Sequence, residues 1–313
     1  MPSWNQILQD IVDKSNTIDS TRRKYIKELS DYTGRNTIVY YSAFLQKSAL
    51  AKQGVDFGIN DADKNGFMAA ICGMDKSKGL DLVLHTPGGL LSAAESIVIY
   101  LKSVFGNNIR AIVPQIAMSA GTMMALSTKE IVMGKHSNLG PIDPQLNGLA
   151  AHAIIEEFDT ARKEILNNPQ SAHLWRPILE KYHPTYIGEC AKSITWANTI
   201  VVNWLKDNMF SASAEAEKKA KKVVSELGSH SLTFSHSRHI HSNDLKNLEI
   251  NVFDLETDPK LQDLVLSVHH SSIITMTQTK TIKIIENQDG KKAYHSFPEA
   301  ARRKLPRLRI LYR

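Results

Sequence analysis

Between residues 36 and 133 the apolar positions fall into short, nearly unbroken runs separated by longer stretches of helical period. Thr37–Tyr41, Asp81–His85, Ile109–Val113 and Glu130–Met133 are the short runs. Their continuity is what strands buried on both faces of a parallel sheet require. Between them the pattern predicts a helix starting at Ile59-Asn60-Asp61 and running through Met74, a helix from Leu91 to Phe105, and a third beginning after Ser119 with Met123-Met124-Ala125-Leu126. Strands alternating with helices argue for a parallel sheet covered by helices, an α/β fold. Upstream, residues 3–31 read as two helices. Trp4, Ile7, Leu8, Ile11 and Val12 form the stripe of the first, and Tyr25, Ile26 and Leu29 form the inner face of the second, which follows Asp19-Ser20-Thr21.

Gly140-Pro141-Ile142-Asp143-Pro144 interrupts the alternation. Residues 150–225 then read as largely helical, with amphipathic stretches at Ala151–Leu166 and Ile187–Met209 and an exposed helix over 211–222. From about residue 228 histidines, serines and threonines cluster. A short strand is expected within Asn247–Phe253, a helix over Lys260–His270 and a β-branched strand over Ile273–Ile285. No internal repeat is visible. The resulting division is an N-terminal helical segment (1–35), a core with a helical extension (36–225), a small C-terminal α/β region (226–286) and a mobile basic tail (287–313).

Composition refines this picture in a few places. The chain has 313 residues, 42% of them hydrophobic, enough for a sizeable core in one large domain or two. The net charge of +6 is mostly scattered, but Ala301-Arg302-Arg303-Lys304-Leu305-Pro306-Arg307-Leu308-Arg309 is a basic run. It reads as a solvated tail or as a contact for an anionic membrane surface, and no specific nucleic-acid partner is expected. The two cysteines, Cys72 and Cys190, form no CxxC pair, which suits a reducing, cytoplasmic setting. Cys72 sits in the apolar run Phe67-Met68-Ala69-Ala70-Ile71 and is expected in the core. Neither a secretory leader nor an apolar run of about eighteen residues is present, so no membrane span is expected.

Candidate chemistry gathers at two turns. The Asp81–His85 strand leads into Thr86-Pro87-Gly88-Gly89, whose glycines expose backbone N–H groups. The Ile109–Val113 strand leads into Gln115-Ile116-Ala117-Met118-Ser119-Ala120-Gly121-Thr122, a serine among small residues at the start of a helix. A helix start carries free N–H donors and a positive dipole end, and small neighbours let a substrate backbone approach. A nucleophile beside an oxyanion hole needs these parts. Ser119 is therefore the candidate nucleophile, and the N–H groups of Gly89 and Ala120, with Gly88 shaping the turn, are the candidate oxyanion donors. Either motif alone could be an ordinary Gly-rich connection or a serine N-cap.

The order HTPGG, helix, strand, MSAGT, strand, LGPIDPQ resembles the serine dehydrogenase proteinase family. That family is grouped with signal peptide peptidase A and the Clp protease proteolytic subunit in the Clp/crotonase superfamily. The likeness is strongest over residues 80–145. It extends through Leu174-Trp175-Arg176-Pro177 and Lys181-Tyr182-His183-Pro184-Thr185 toward residue 270. It implies a Clp/crotonase-like superhelix of ββα units with helical additions, a homo-oligomer, and a serine peptidase working through an acyl-enzyme on a peptide or protein substrate, without a cofactor. The same fold also serves enzymes that stabilise an acyl-thioester enolate and scaffolds that retain the fold without catalysis; these are the alternatives.

The resemblance leaves the general base open. Clp subunits carry a histidine where this chain has Asp143, within Ile142-Asp143-Pro144-Gln145. Asp143 could form a turn, orient a histidine or lysine, or hold the Ser119 loop. Signal peptide peptidases use a downstream lysine, which points to Lys181, with Lys163 and Lys192 as further candidates and His136 as a nearby histidine. A base from another subunit also fits. Trp175 and Trp196 are expected in the core. His230, His236, His239 and His241 lack the cysteine or carboxylate ligands and the spacing of a zinc site and read as a Ser/His-rich loop, so no metal is expected. No HExxH, GxGxxG or Walker-type loop occurs, so no nucleotide site follows, and any ATP-driven unfolding needs a separate partner.

Overall fold

The computed structural model describes residues 6–7, 17–229 and 235–296. The first expected helix falls mostly outside the described residues, as do His230 and the basic run 301–309. Helix α1 (Ile18–Thr33) starts where the Thr17 hydroxyl accepts from the Ser20 N–H and stops at Gly34, whose φ of 65° ends the helix in a left-handed turn. Strand β1 (Asn36–Ser42), helix α2 (Asp63–Ile71), β2 (Leu80–His85), α3 (Leu91–Phe105), β3 (Ile109–Val113), β4 (Ile116–Ala117), α4 (Ala120–Leu126), β5 (Glu130–Met133) and β6 (Asn138–Leu139) follow. A helical arm comes next: α5 (Ala151–Asn167), α6 (Ala172–Leu179), α7 (Tyr186–Asp207) and α8 (Ala216–Gly228). After the short helix Ser242–Asn247 come β7 (Val252–Asp254), α9 (Pro259–Gln278), β8 (Thr281–Asn287) and β9 (Lys292–Ser296).

A seven-stranded sheet of order β9-β8-β1-β2-β3-β5-β7 organises these elements. Strands β1, β2, β3, β5 and β7 run parallel, and β8 and β9 add an antiparallel edge. Alternate residues of each strand face opposite sides. Leu80, Leu82 and Leu84 of β2 meet α2, α3 and α4, whereas Val83 joins Val39, Ile112 and Val132 under α1 and α9. Both faces are thus covered, and the continuous apolar runs are explained. The result is a mixed α/β fold with a central, mostly parallel sheet.

Several expectations are corrected. Residues 226–286 do not form a separate layer: β7 and β8 lie at opposite sides of the shared sheet, with β8 beside β1. The expected strand Ile273–Ile285 begins at Thr281 because α9 continues to Gln278. Its β-branched residues stay helical because Ile274, Thr275 and Met276 are buried, and Thr275 and Thr277 return hydroxyl bonds to the carbonyls of Ser271 and Ile273. Here burial overrides propensity. The tail expected from residue 287 begins as a strand, with β9 forming a hairpin on β8. Helix α2 ends at Ile71, which leaves Cys72 exposed rather than in the core, whereas Cys190 is buried. The helix expected over 211–222 is α8, and it is not wholly exposed: Ala220, Val223, Val224 and Leu227 are buried.

Candidate active site

The carboxyl ends of β2, β3 and β5 open onto one crevice, the usual place for a ligand in such a sheet. Chain leaving β2 is tied to chain leaving β3: the Thr86 N–H donates to the Ile116 carbonyl at 3.2 Å, and the Met118 N–H donates to Thr86 at 3.0 Å. Ser119 then turns into α4 with φ 51° and ψ −119°, a left-handed conformation rare for a residue with a side chain. Such strain costs on the order of 1–3 kcal/mol and persists only where the surroundings impose it. Here they do. A Cβ on Gly88 would stand 2.6 Å from the Ser119 Cβ and 2.7 Å from the Met118 carbonyl oxygen. Thr122 donates its hydroxyl to the Ala117 carbonyl at 2.8 Å and accepts the Gly140 N–H at 3.0 Å, which fixes the turn to the next segment.

Two backbone donors face this turn unused. The Ile59 N–H donates to the Gly88 carbonyl at 2.7 Å, and the Ile59 carbonyl accepts the Leu90 N–H at 2.8 Å. A parallel bridge of this kind leaves the intervening N–H, that of Gly89, on the opposite edge, where Gly89, Ser119 and Ala120 line one cavity. Ala120 is the first residue of α4, so its N–H has no intrahelical acceptor. Among the described residues neither N–H has a hydrogen-bond partner, and neither does the Ser119 hydroxyl. The cavity is about 180 Å³, and Leu91, Met123, Ile142, Leu146 and Trp196 give it an apolar lining. Trp196, expected in the core, is 41% exposed on this wall. Trp175 is half-buried, with its indole N–H on Glu164 at 2.7 Å.

Asp143 forms part of the same wall and is wholly buried. Its carboxylate bonds the His236 Nδ1 at 2.7 Å through Oδ1 and accepts from the Gln145 side chain at 2.9 Å through Oδ2. The histidine is 28% exposed, and no other hydrogen bond engages its ring among the described residues. His236 comes from 93 residues downstream. An antiparallel bridge between Leu139 and Ile240, with bonds of 3.0 and 2.9 Å, brings its loop beside Asp143. His236 and Gln145 also line a second, open groove of about 560 Å³ that runs along α5 past Glu157 and Tyr182.

The other candidate bases lie elsewhere. Lys181 is exposed, as are Lys163 and Lys192, and Lys192 pairs with Glu189 at 3.1 Å. Lys181 does not line the Ser119 cavity, so the choice of this lysine has no geometric support within the chain. His136 lies exposed in the turn closed by Gly134 and Ser137. His85, which opens the HTPGG segment, is buried on the other face of the sheet among Tyr41, Phe44 and His269, with ring centroids 5.3, 5.2 and 5.5 Å away. Neither of its ring nitrogens has a partner, and burial lowers its pKa to about 3. His269 is pushed down by the same cause. Reasoning from sequence passed over His236 because it was one of several histidines in a polar stretch. The available signal was Asp143, a carboxylate placed where related enzymes carry a histidine. Among the described residues no group of three or more metal-ligating side chains could hold an ion, and no helix is long and apolar enough to cross a membrane.

A sequence model of ClpP-like SDH-type serine proteinases matches residues 7–286. An uncharacterized protein of Methanocaldococcus jannaschii is 39% identical over 139 residues, which are 44% of this chain and 48% of that protein. A second uncharacterized protein of the same organism is 27% identical over 233 residues, 74% of this chain and 71% of its own length. The match thus spans about half the length of the first relative.

Proposed function

Because the chain belongs to the family of ClpP-like SDH-type serine proteinases, we propose that it is a serine peptidase that cleaves peptide bonds through an acyl-enzyme on Ser119. His236 is the general base, and Asp143 orients it. With Nδ1 protonated to donate to Asp143, the Nε2 of His236 presents a lone pair to the serine. The Ser119 oxygen attacks the peptide carbonyl carbon and its proton passes to Nε2. The resulting oxyanion takes the N–H groups of Gly89 and Ala120, and the amine leaves with the proton from His236. Water then repeats the sequence on the ester and releases the acid. Among the described residues no hydrogen bond joins Ser119 to His236; a catalytic contact of this kind commonly tightens only when substrate binds. The apolar wall of Leu91, Met123, Ile142 and Trp196 fits an apolar side chain of the substrate beside the cleaved bond.

The observation that carries this reading is the strained Ser119 turn set against two unpartnered N–H groups, with Asp143, which bonds His236, in the wall of the same cavity. A fluorophosphonate probe tests it. Mass spectrometry should find the adduct on Ser119 in the wild type and none in S119A, and apolar peptides should be cut only by the former. A wild type that stays unlabelled yet binds an acyl-CoA would overturn the peptidase in favour of a thioester enzyme.

A further inference from the structure

A buried ammonium lies behind the Gly88-Gly89 strand, on the side away from the serine. Lys283 of β8 is 2% exposed, and its Nζ donates to the Gly58 carbonyl and, at 3.1 Å, to each of the two oxygens of Asp63. Its three donors therefore all have acceptors. Asp63, wholly buried, also accepts the Tyr40 hydroxyl at 2.8 Å and the Asn60 N–H at 3.0 Å. The Phe57 carbonyl accepts the Ser42 hydroxyl at 2.7 Å. Residues 57, 58 and 60 are thus each pinned, and the residue left between them is Ile59, whose N–H and carbonyl clamp Gly88 and Leu90. The fit leaves no slack: a Cβ on Gly89 would lie 2.1 Å from the Ile59 nitrogen, and one on Gly58 3.2 Å from the Gly89 Cα.

Resting on the peptidase reading above, we propose that Lys283, through Asp63 and the Gly58 carbonyl, is a positioning residue that sets the direction of the Gly89 N–H in the oxyanion hole. Buried ion pairs are poor stabilisers, because desolvation offsets their attraction; fixing one backbone arrangement is a use that fits this pair. Lys283 is buried and does not line the Ser119 cavity, so its effect should fall on the chemical step. A donor displaced by about 1 Å costs on the order of 100-fold in rate.

The test compares K283M with R22M. Arg22 makes an equally buried ion pair with Glu286 on the same strand, at 2.7 Å, but on the α1 side, away from the Gly88-Gly89 strand. Both variants should lose stability. At a temperature where both remain folded, K283M should show about 100-fold slower fluorophosphonate labelling of Ser119 and a comparable fall in peptide kcat with KM within about threefold, whereas R22M keeps wild-type rates. Amide exchange at Ile59 and Leu90 should quicken in K283M alone. If K283M does not fold, K283M/D63N, which leaves neither charge buried, takes its place. Wild-type labelling by a folded K283M, or equal losses in R22M, would overturn the proposal. A wild type that never labels refutes the peptidase reading instead, and the exchange comparison then still decides whether Lys283 holds the clamp.

Discussion

The Ser119 turn and the His236 loop both meet Asp143, one in a shared cavity wall and the other through a hydrogen bond, yet they are built in opposite ways. The turn is assembled from neighbouring parallel strands and locked from every side: two backbone bonds to Thr86, the Thr122 hydroxyl below, and Gly88 in van der Waals contact above. The loop arrives from far along the chain, and among the described residues it is tied in by the bridge of Ile240 to Leu139 and the bond of His236 to Asp143. In the proposed mechanism, a nucleophile locked by neighbouring strands works with a base brought in from a distant segment. The oxyanion donors must be fixed before the reaction, whereas a base has to move a proton between oxygen and leaving group and tolerates some travel.

The comparison breaks most sharply at glycine. Gly88→Ala would force a methyl group into Ser119 at a φ of 98°, so we expect activity to fall beyond detection and the Ser119 turn to be displaced. Gly148, in the exposed hairpin beside the His236 groove, also has a positive φ, 81°, but nothing lies within 4 Å of its would-be Cβ. Gly148→Ala should cost only the left-handed backbone penalty of about 1–2 kcal/mol and leave Ser119 labelling intact. Equal losses in the two variants would mean that the turn and the loop side are equally constrained.

Next in size is the proposed base. His236→Ala should lower kcat by about three orders of magnitude while the fold is kept, because the ring is partly exposed and makes one bond among the described residues. Asp143→Asn should cost somewhat less activity but more stability, since its carboxylate is buried and holds both His236 and Gln145. Steady-state kinetics beside thermal unfolding separates the two. An H236A variant with wild-type turnover would remove the histidine from the reaction.

The same contrast explains what could be read from the sequence. Strands β2, β3 and β5 and helix α3 follow from local period alone, because the strands are buried nearly along their length, the helix buries one regular face, and their neighbours in space are their neighbours in the chain. The HTPGG and MSAGT turns were legible for the same reason. His236 was not: its place depends on the pairing of Leu139 with Ile240, and nothing in a serine- and histidine-rich stretch announces a partner so far upstream. Trp196 was read as core because an aromatic on an amphipathic helix usually is, yet α7 turns it toward the cavity. The end of α9 differs for another reason: Ile273, Ile274, Thr275 and Thr277 have strand propensity, but burial of Ile274 and Thr275 and the hydroxyl bonds of Thr275 and Thr277 keep this stretch helical.

Histidine also gives a smaller, pH-dependent separation. His85 is buried, unpartnered and neutral, with a pKa lowered to about 3. Below about pH 6.5 the unfolded chain binds a proton there that the folded chain refuses, so stability falls as the pH drops toward 3. Between pH 6 and pH 4 this one residue should remove about 2 kcal/mol, and His269 acts in the same direction. His85→Phe, which keeps a ring against Tyr41 and Phe44, should flatten the acid limb of a denaturation series by that amount. An unchanged limb would mean that the ring is not sealed from solvent.

The smallest expected effect sets Lys181, one of the bases that the resemblance left open, against His236. Lys181 sits exposed after α6, outside the Ser119 cavity, and no element packs around it to strip its ammonium of water. Lys181→Ala should therefore change fluorophosphonate labelling and peptide turnover by less than about twofold, the range expected of an exposed substitution away from the chemistry. The experiment is informative because the opposite result has a specific meaning. A hundredfold loss in K181A, with H236A still active, would place the lysine of another subunit against Ser119. The histidine loop would then be a flank of the substrate groove rather than half of the catalytic pair.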